Sequence, residues 1–151
     1  LEEQNRTVRD RMRRITTELA PELVAKTGVG PDTATTLLIT AGDNPGRLGH
    51  EKSFAALVGA SPIPVNSGQI QGRVRLNRGG DRSANNALYV VVLGRMRHDP
   101  RTRAYVERRT HEGLAKPEII RCLKRYDARE IYNTLNQATP ARKPEQLLAR
   151  P

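Results

Sequence analysis

The chain has 151 residues, with 26 Lys and Arg against 16 Asp and Glu, which gives a formal net charge of +10. Its single cysteine, Cys122, excludes an internal disulfide, and no apolar run approaches the ~20 residues needed to span a bilayer. One Phe and no Trp argue against a platform of aromatic side chains for stacked bases. We therefore expect a cytoplasmic protein, associated with the nucleoid when bound to DNA, with no membrane partner.

The positive charge is concentrated in one stretch of the chain. Residues 46–110 contain 12 basic and 4 acidic residues, and no Asp or Glu lies between Glu51 and Asp81. Clustered Lys and Arg displace the counterions condensed on phosphates, so this stretch predicts nucleic-acid binding; an ordinary solvated surface is the alternative. The three histidines are far apart and have no metal-ligand spacing, so no metal site is predicted in this chain.

The N-terminal segment has a heptad pattern. Apolar positions and one Asn follow one another at intervals of four and three residues: Leu1, Asn5, Val8, Met12, Ile15 and Leu19. This spacing predicts a coiled-coil or dimerisation helix over residues 1–20, and an amphipathic helix packed on its own domain is the alternative. Because the first residue is Leu, we expect the chain to be a piece of a longer protein.

The next segment, "LVAKTGVGPDTATTLLITAGD", contains two glycines followed by Pro31. It predicts a helix-hairpin-helix, in which Gly28 and Gly30 allow a tight turn and the second helix offers free N–H groups to a nucleic-acid phosphate. A plain glycine turn between two packed helices is the alternative. A short helix, "HEKSFAALVGAS", follows and carries Lys52, another predicted nucleic-acid contact.

The segment "PIPVNSGQIQGRVRL" cannot be helical, because its prolines force an extended backbone. Its second half alternates apolar and polar residues, which predicts a short strand or hairpin arm. Helices are then predicted from Asp81 or Ser83 to about residue 97, from Arg101 to about residue 112, and from Lys116 onwards. The predicted core positions of these helices are Leu88, Val91, Val92, Met96, Ile119, Ile120, Leu123, Ile131 and Leu135.

The predicted fold class is therefore mainly α, with at most a small β-hairpin. The predicted domains are a coiled-coil helix over residues 1–20, a helical domain over residues 21–136 and a disordered tail over residues 137–151.

Ser67 is the one candidate nucleophile in the basic stretch. Gly68 follows it, and four arginines lie within the next fifteen residues: Arg73, Arg75, Arg78 and Arg82. Arginines of this kind can hold phosphate oxygens in a phosphoryl-transfer reaction. The segment supplies neither a general base nor a metal site, however, so the residues alone favour Ser67 as part of a polar turn.

The other charged residues of the stretch also have two interpretations. Arg73 and Arg75 fit the solvent face of a strand, and Asp81 is best interpreted as a helix N-cap. The later arginine pairs fit either phosphate contacts or an ordinary helix surface; they are Arg95 and Arg97, Arg101 and Arg103, and Arg108 and Arg109.

Several strings of the sequence together resemble one family. They are "TGVGPDTATTLLITAGDNPGRL", "FAALVGASPIPVNSG", "RVRLNRGGDRSANNALYVVVLGRMRHDPRTRAYVERR" and "IIRCLKRYDAREIY". From about Glu22 to Leu135 the chain resembles the C-terminal half of bacterial insertion-sequence transposases of the one-hundred-and-ten family, which are RNA-guided recombinases.

The resemblance implies a site and a set of partners. The family's nucleophilic serine falls on Ser67, and its adjacent basic segment falls on the run that includes Arg73, Arg75, Arg78 and Arg82. Family members bind Mg²⁺ through four acidic residues of a separate N-terminal domain, which this sequence does not contain. A structured guide RNA, DNA and a homo-oligomer, dimer or tetramer, are the implied partners.

We therefore expect a DNA transposase or recombinase that cleaves and rejoins DNA through a serine, with no cofactor held by this chain and no activity without the acidic domain. A non-catalytic helix-hairpin-helix module, an inactive transposase remnant and a piece that serves only in assembly are the alternatives. The sequence departs from many relatives at Asn66 and Gln69, where those relatives have Ser and Lys, and the missing lysine would remove one phosphate contact.

Overall fold

The computed structural model describes residues 1–67, 70–76 and 80–138, and for residues 62–67, 70–76 and 138 it describes the backbone only. The described elements are helices α1 (Glu2–Leu19), α2 (Pro21–Val24), α3 (Pro31–Asp43), α4 (Glu51–Leu57), α5 (Arg82–His98), α6 (Pro100–His111) and α7 (Lys116–Ala138), a 3-10 turn (Pro45–Leu48), and strands β1 (Pro62–Ser67) and β2 (Ile70–Leu76). The predicted mainly helical fold is confirmed. Gly68, Arg78 and the predicted tail beyond residue 138 lie outside the described residues. None of the described helices is long and apolar enough to cross a membrane.

Two aspartates fix the starts of the central helices. The Asp81 carboxylate accepts a hydrogen bond from the Ala84 N–H at 2.8 Å, so Asp81 is the N-cap of α5 as predicted. Asp99 accepts from the N–H groups of Arg101 and Thr102 at the start of α6. The Thr102 hydroxyl also donates to this carboxylate at 2.7 Å, which lowers the pKa of Asp99. Both helix starts are encoded by residues adjacent to them.

Helix α5 lies at the centre of the domain and packs against α3, α6 and α7. The largest fully buried side chains are Phe54, Leu23, Leu37, Leu88, Ile119, Ile131, Val58, Val91 and Val92. Burying each of these side chains contributes roughly 1.5–3 kcal/mol. All but two of the predicted core positions are buried; Met96 and Ile120 are partly buried and pack against the smaller of two core clusters. The apolar periodicity therefore identified the inward faces of α5 and α7.

The turn between α2 and α3 is pressed onto α5. Gly28 has a φ of +81°, and a Cβ at this position would lie 2.9 Å from the Val91 carbonyl oxygen. On the other side of the contact, a Cβ on Gly94 would lie 3.4 Å from the Gly28 Cα. Helix α1 ends at Leu19, and Pro21 begins helix α2, which has only four residues. A helix-hairpin-helix is therefore not confirmed.

Helix α1 contacts α2 and α3. The Thr16 hydroxyl is buried and lies 2.7 Å from the Thr35 hydroxyl of α3. Four heptad positions are instead exposed, with fractions from 46% to 98%: Leu1, Val8, Ile15 and Leu19. Helix α1 thus packs on its own domain near its C-terminal end, as the alternative has it, while these four heptad positions stay exposed. The coiled coil stays a prediction.

The two strands form an antiparallel hairpin arm whose base is closed against the helical domain. A Cβ on Gly80 would lie 2.6–2.7 Å from backbone atoms of Ala56, Leu57 and Gly59, so only glycine fits here. The next residue, Asp81, donates its N–H to the Leu57 carbonyl at 2.7 Å. Gly80 and Asp81, just before α5, are therefore packed against the end of α4.

Candidate nucleic-acid interface

Ser67 is the last residue of β1. Its Cα partner across the hairpin is Ile70, and the strand register is irregular between Val65 and Ser67. A serine at this place is carried at the far end of the arm, away from the base at Gly80. Both a nucleophile and an ordinary turn residue can occupy such a position. The backbone therefore does not decide between the two interpretations of Ser67.

The predicted arginines are distributed between the arm and its base. Arg73 and Arg75 lie in β2, with Val65 and Ile63 as their Cα partners in β1. Arg82 is exposed at the first residue of α5, next to the Asp81 cap. Two of the predicted arginines therefore lie on the arm, and the third lies at the start of α5.

Lys52 is exposed in the first turn of α4, on the helix whose other end supports Gly80. Its neighbour Glu51 is paired with Arg125 and, at 3.8 Å, with Arg129. The hydrogen bond from Arg125 is the main reason that the pKa of Glu51 is lowered. Glu51 is thus shared among Arg125, Arg129 and its neighbour Lys52, whose positive charge also lowers its pKa.

The predicted contacts at Gly28 and Gly30 lie elsewhere on the domain. Gly28 packs beside Val91 and Arg95, which lie roughly 14–20 Å along α5 from Arg82 at 1.5 Å per residue. Gly30 is exposed and extended, with φ −83°, and is the N-cap of α3. The positive φ of Gly28 thus serves the close approach to α5; Gly28 is partly buried there, whereas Gly30 is exposed. The fold does not bring the glycine turn together with the base of the arm.

Arg95 is not available for phosphate contacts. Its guanidinium donates to Asp127 at 2.8 Å and to Glu130 at 2.5 Å, and its Nε donates to the Thr27 carbonyl at 2.8 Å. The Arg95 side chain is only 11% exposed. The phosphate-contact interpretation of Arg95 was therefore wrong, because this residue ties α5 to α7 and to the glycine turn.

The remaining arginine pairs divide in the same way. Arg109 pairs with Glu112 at 2.5 Å, and Arg108 reaches the same carboxylate at 4.0 Å. Three others are exposed and have no carboxylate partner among the described residues: Arg97, Arg101 and Arg103. The phosphate-contact interpretation stays a prediction for these three and for Arg108, whose side chain is 65% exposed.

Lys124 of α7 was not predicted from the sequence, yet it lies close to the base of the arm. It lines a cleft with Gly80, Arg82, Asn85, Asn86 and Tyr89. Burial lowers the pKa of its ammonium. No pattern in "RCLKRYDARE" distinguishes this lysine from its neighbours, because its surroundings come from α5, some forty residues earlier in the chain.

The structure offers no metal-binding group in its described part: these residues contain no cluster of three or more His, Cys, Asp or Glu side chains placed to hold an ion. The arm and its flanks, residues 52–80, contain no carboxylate.

More than half of the sequence matches a known family. Residues 20–107 match the family model described as "Transposase IS116/IS110/IS902 family". The chain belongs to this transposase family. The match runs from the end of α1 into α6, so it includes Ser67 and Arg82 and ends before α7.

Two relatives extend the comparison. The chain is 29% identical over 123 residues to the "Insertion element IS110 uncharacterized 43.6 kDa protein" of Streptomyces coelicolor, covering 80% of this chain and 30% of that protein. It is 27% identical over 103 residues to the "Insertion element IS900 uncharacterized 42 kDa protein" of Mycobacterium paratuberculosis, covering 68% of this chain and 26% of that protein. The chain thus spans less than a third of the length of either relative.

Proposed function

We propose that this chain is the serine-bearing part of a DNA transposase, and that Ser67 is the residue that attacks DNA. The observation that carries the proposal is the family match, which includes the hairpin arm with Ser67 at the end of β1. The surrounding stretch is basic and free of carboxylates, so it favours the approach of a phosphodiester.

The proposed step is a transesterification. The Ser67 Oγ attacks a phosphorus atom of the DNA backbone, and the bond between that phosphorus and one deoxyribose oxygen breaks. The serine proton is lost and the released sugar oxygen gains a proton, so one phosphodiester replaces another without hydrolysis. A hydroxyl of a second DNA end then reverses the reaction, which joins the strands and restores the serine.

The basic residues position the DNA in this proposal. Arg73 and Arg75 of the arm, Arg78 and Arg82 at its return, and Lys52 beside its base hold phosphate oxygens, while Gly68 gives the backbone freedom beside the hydroxyl. Gly30, at the start of α3, adds a backbone contact to DNA that extends beyond the arm. Guanidinium groups near the reacting phosphate also offset the negative charge that develops during the transfer.

The longer protein supplies what this chain does not hold. Mg²⁺ would come with an acidic domain of the same family, since the described residues offer no ligand cluster. A structured guide RNA and a homo-oligomer joined through the exposed heptad face of α1 are further parts of the proposal.

Two measurements on one variant separate this proposal from a purely binding module. The chain would be combined with the acidic domain, guide RNA and Mg²⁺, and Ser67→Ala would be compared with Ser83→Ala, an exposed serine of α5. We expect Ser67→Ala to keep its DNA affinity and to lose all strand exchange, while Ser83→Ala keeps both. Strand exchange that persists in Ser67→Ala would favour the non-catalytic interpretation of this serine.

A further inference from the structure

A cleft of about 320 Å³ opens at the base of the arm, between the first turns of α5 and the middle of α7. Lys124 lies inside it, and its ammonium donates to the Asn85 Oδ1 at 2.6 Å. The Asn85 amide donates in turn to the Gly59 carbonyl at 3.4 Å, which ties the cleft to the end of α4. The Lys124 ammonium also lies 5.2 Å from the centre of the Tyr89 ring. The lysine is thus held in one position by α5.

The charge of Lys124 is not balanced within the part of the chain that the structure describes. The ion pairs found there join other cations to carboxylates, as in Arg95 with Asp127 and Arg125 with Glu51. The residues that line the cleft include a second cation, Arg82, and no acidic residue. A partly desolvated ammonium without a counter-ion is unfavourable, and it attracts an anion.

The donors that face the cleft suit a phosphate group. An ammonium has three N–H donors, and Asn85 accepts only one of them. Asn86 and Arg82 are exposed at the rim and add amide and guanidinium donors. The N-terminus of α5 does not form this site, because the Ala84 N–H there already donates a hydrogen bond to the Asp81 carboxylate.

We propose that this cleft binds a phosphate of the DNA backbone, with Lys124 as the central cation and Arg82 at the rim. The inference rests on the proposed function, which brings DNA to the hairpin arm. Because Gly80 belongs both to the cleft and to the base of the arm, DNA bound in the cleft lies beside the base of the arm. The cleft fixes the register of the DNA on the protein, as phosphate contacts commonly do.

The first test measures the affinity of the full chain for labelled duplex DNA at several salt concentrations. Lys124→Gln is expected to reduce the salt slope by about one unit and the affinity by about eightfold at 0.1 M salt, because one phosphate contact is lost. Lys116→Gln, the same change at an exposed lysine of α7, is the matched control, and Lys124→Arg is expected to keep the slope. Equal slopes for Lys124→Gln and Lys116→Gln would overturn the inference.

The second test uses the unmodified chain, so it does not depend on how a variant folds. Lysines are labelled with an amine-reactive reagent, with duplex DNA, an RNA duplex of the same sequence, or inorganic phosphate present at equal phosphate concentration. We expect DNA to protect Lys124 and not Lys116. Protection by RNA alone, equal protection by inorganic phosphate, or no protection by DNA would each overturn the assignment to DNA.

The two proposals fail in distinguishable ways. If Ser67 is required for strand exchange but DNA does not protect Lys124, the cleft inference fails and the proposed function stands. If DNA protects Lys124 while Ser67→Ala keeps strand exchange, the cleft binds DNA and the proposed chemistry at Ser67 is wrong.

Discussion

The two ends of α5 use the same kind of residue for opposite purposes. At its start, Arg82 is exposed and shares a cleft with Lys124, and no carboxylate lines that cleft. Near its other end, Arg95 is buried between Asp127 and Glu130 and also bonds the Thr27 carbonyl. In a basic protein of this family, the number of arginines therefore says little about DNA contacts. What distinguishes the two ends is whether a carboxylate neutralises the cation.

The largest effect is expected where the charge is buried. Arg95→Met should destabilise the domain by about 3–5 kcal/mol at pH 7, because it leaves Asp127 buried without its main cationic partner. Arg82→Met, the matched change at the other end of α5, should alter the free energy of unfolding by no more than about 0.5 kcal/mol. Denaturant unfolding of the two variants measures the difference. Equal losses of stability in Arg95→Met and Arg82→Met would contradict the proposed difference between the two ends of α5.

The pH dependence of stability tests the same buried group. Burial raises the pKa of Asp127 to about 6, although Arg95 opposes this shift. A raised carboxyl pKa favours the folded state at low pH, so this group's contribution is fully present below about pH 4 and is lost as the pH rises through 6. We expect stability to increase between pH 6 and 5 by up to about 1.4 kcal/mol from this group. Glu51, Asp99 and Glu130, whose pKa values are lowered, oppose this trend only at more acidic pH.

Asp127→Asn should abolish that increase, and Asp10→Asn, at an exposed position of α1, should leave it unchanged. Chemical unfolding at pH 5 and pH 6 provides the comparison. A wild-type protein that loses stability over this interval, to the same extent as Asp127→Asn, would contradict the assignment.

A loss of stability smaller than that of Arg95→Met is expected at the glycine turn that Arg95 supports. Gly28→Ala should destabilise the domain by about 1–3 kcal/mol, because φ is +81° and the new Cβ would lie 2.9 Å from the Val91 carbonyl. Gly42→Ala in α3 is the control, since a Cβ there meets no atom within 4 Å, and it should be neutral or stabilising by up to about 1 kcal/mol. Thermal unfolding of both variants is the measurement. A neutral Gly28→Ala would show that the turn is not pressed onto α5.

What could be predicted from the sequence was local. The Asp81 cap and the inward faces of α5 and α7 depend on residues within one or two turns of each other. The partners of Arg95 lie 32 and 35 residues away, and Asn85 lies 39 residues from Lys124. Such contacts depend on how the helices pack, so neither the structural use of Arg95 nor the cleft around Lys124 could be foreseen. The close approach of Gly28 to Gly94 was missed for the same reason.

The most direct measurement of the central claim is a covalent bond between Ser67 and DNA. Labelled donor DNA would be incubated with the chain, the acidic domain, guide RNA and Mg²⁺, and then resolved on a denaturing gel beside the Ser67→Ala and Ser83→Ala variants. We predict a protein–DNA adduct with the wild-type chain and with Ser83→Ala, and none with Ser67→Ala. An adduct that persists in Ser67→Ala would contradict the claim. Tight, salt-sensitive DNA binding in all three proteins, with no adduct in any of them, would also contradict it.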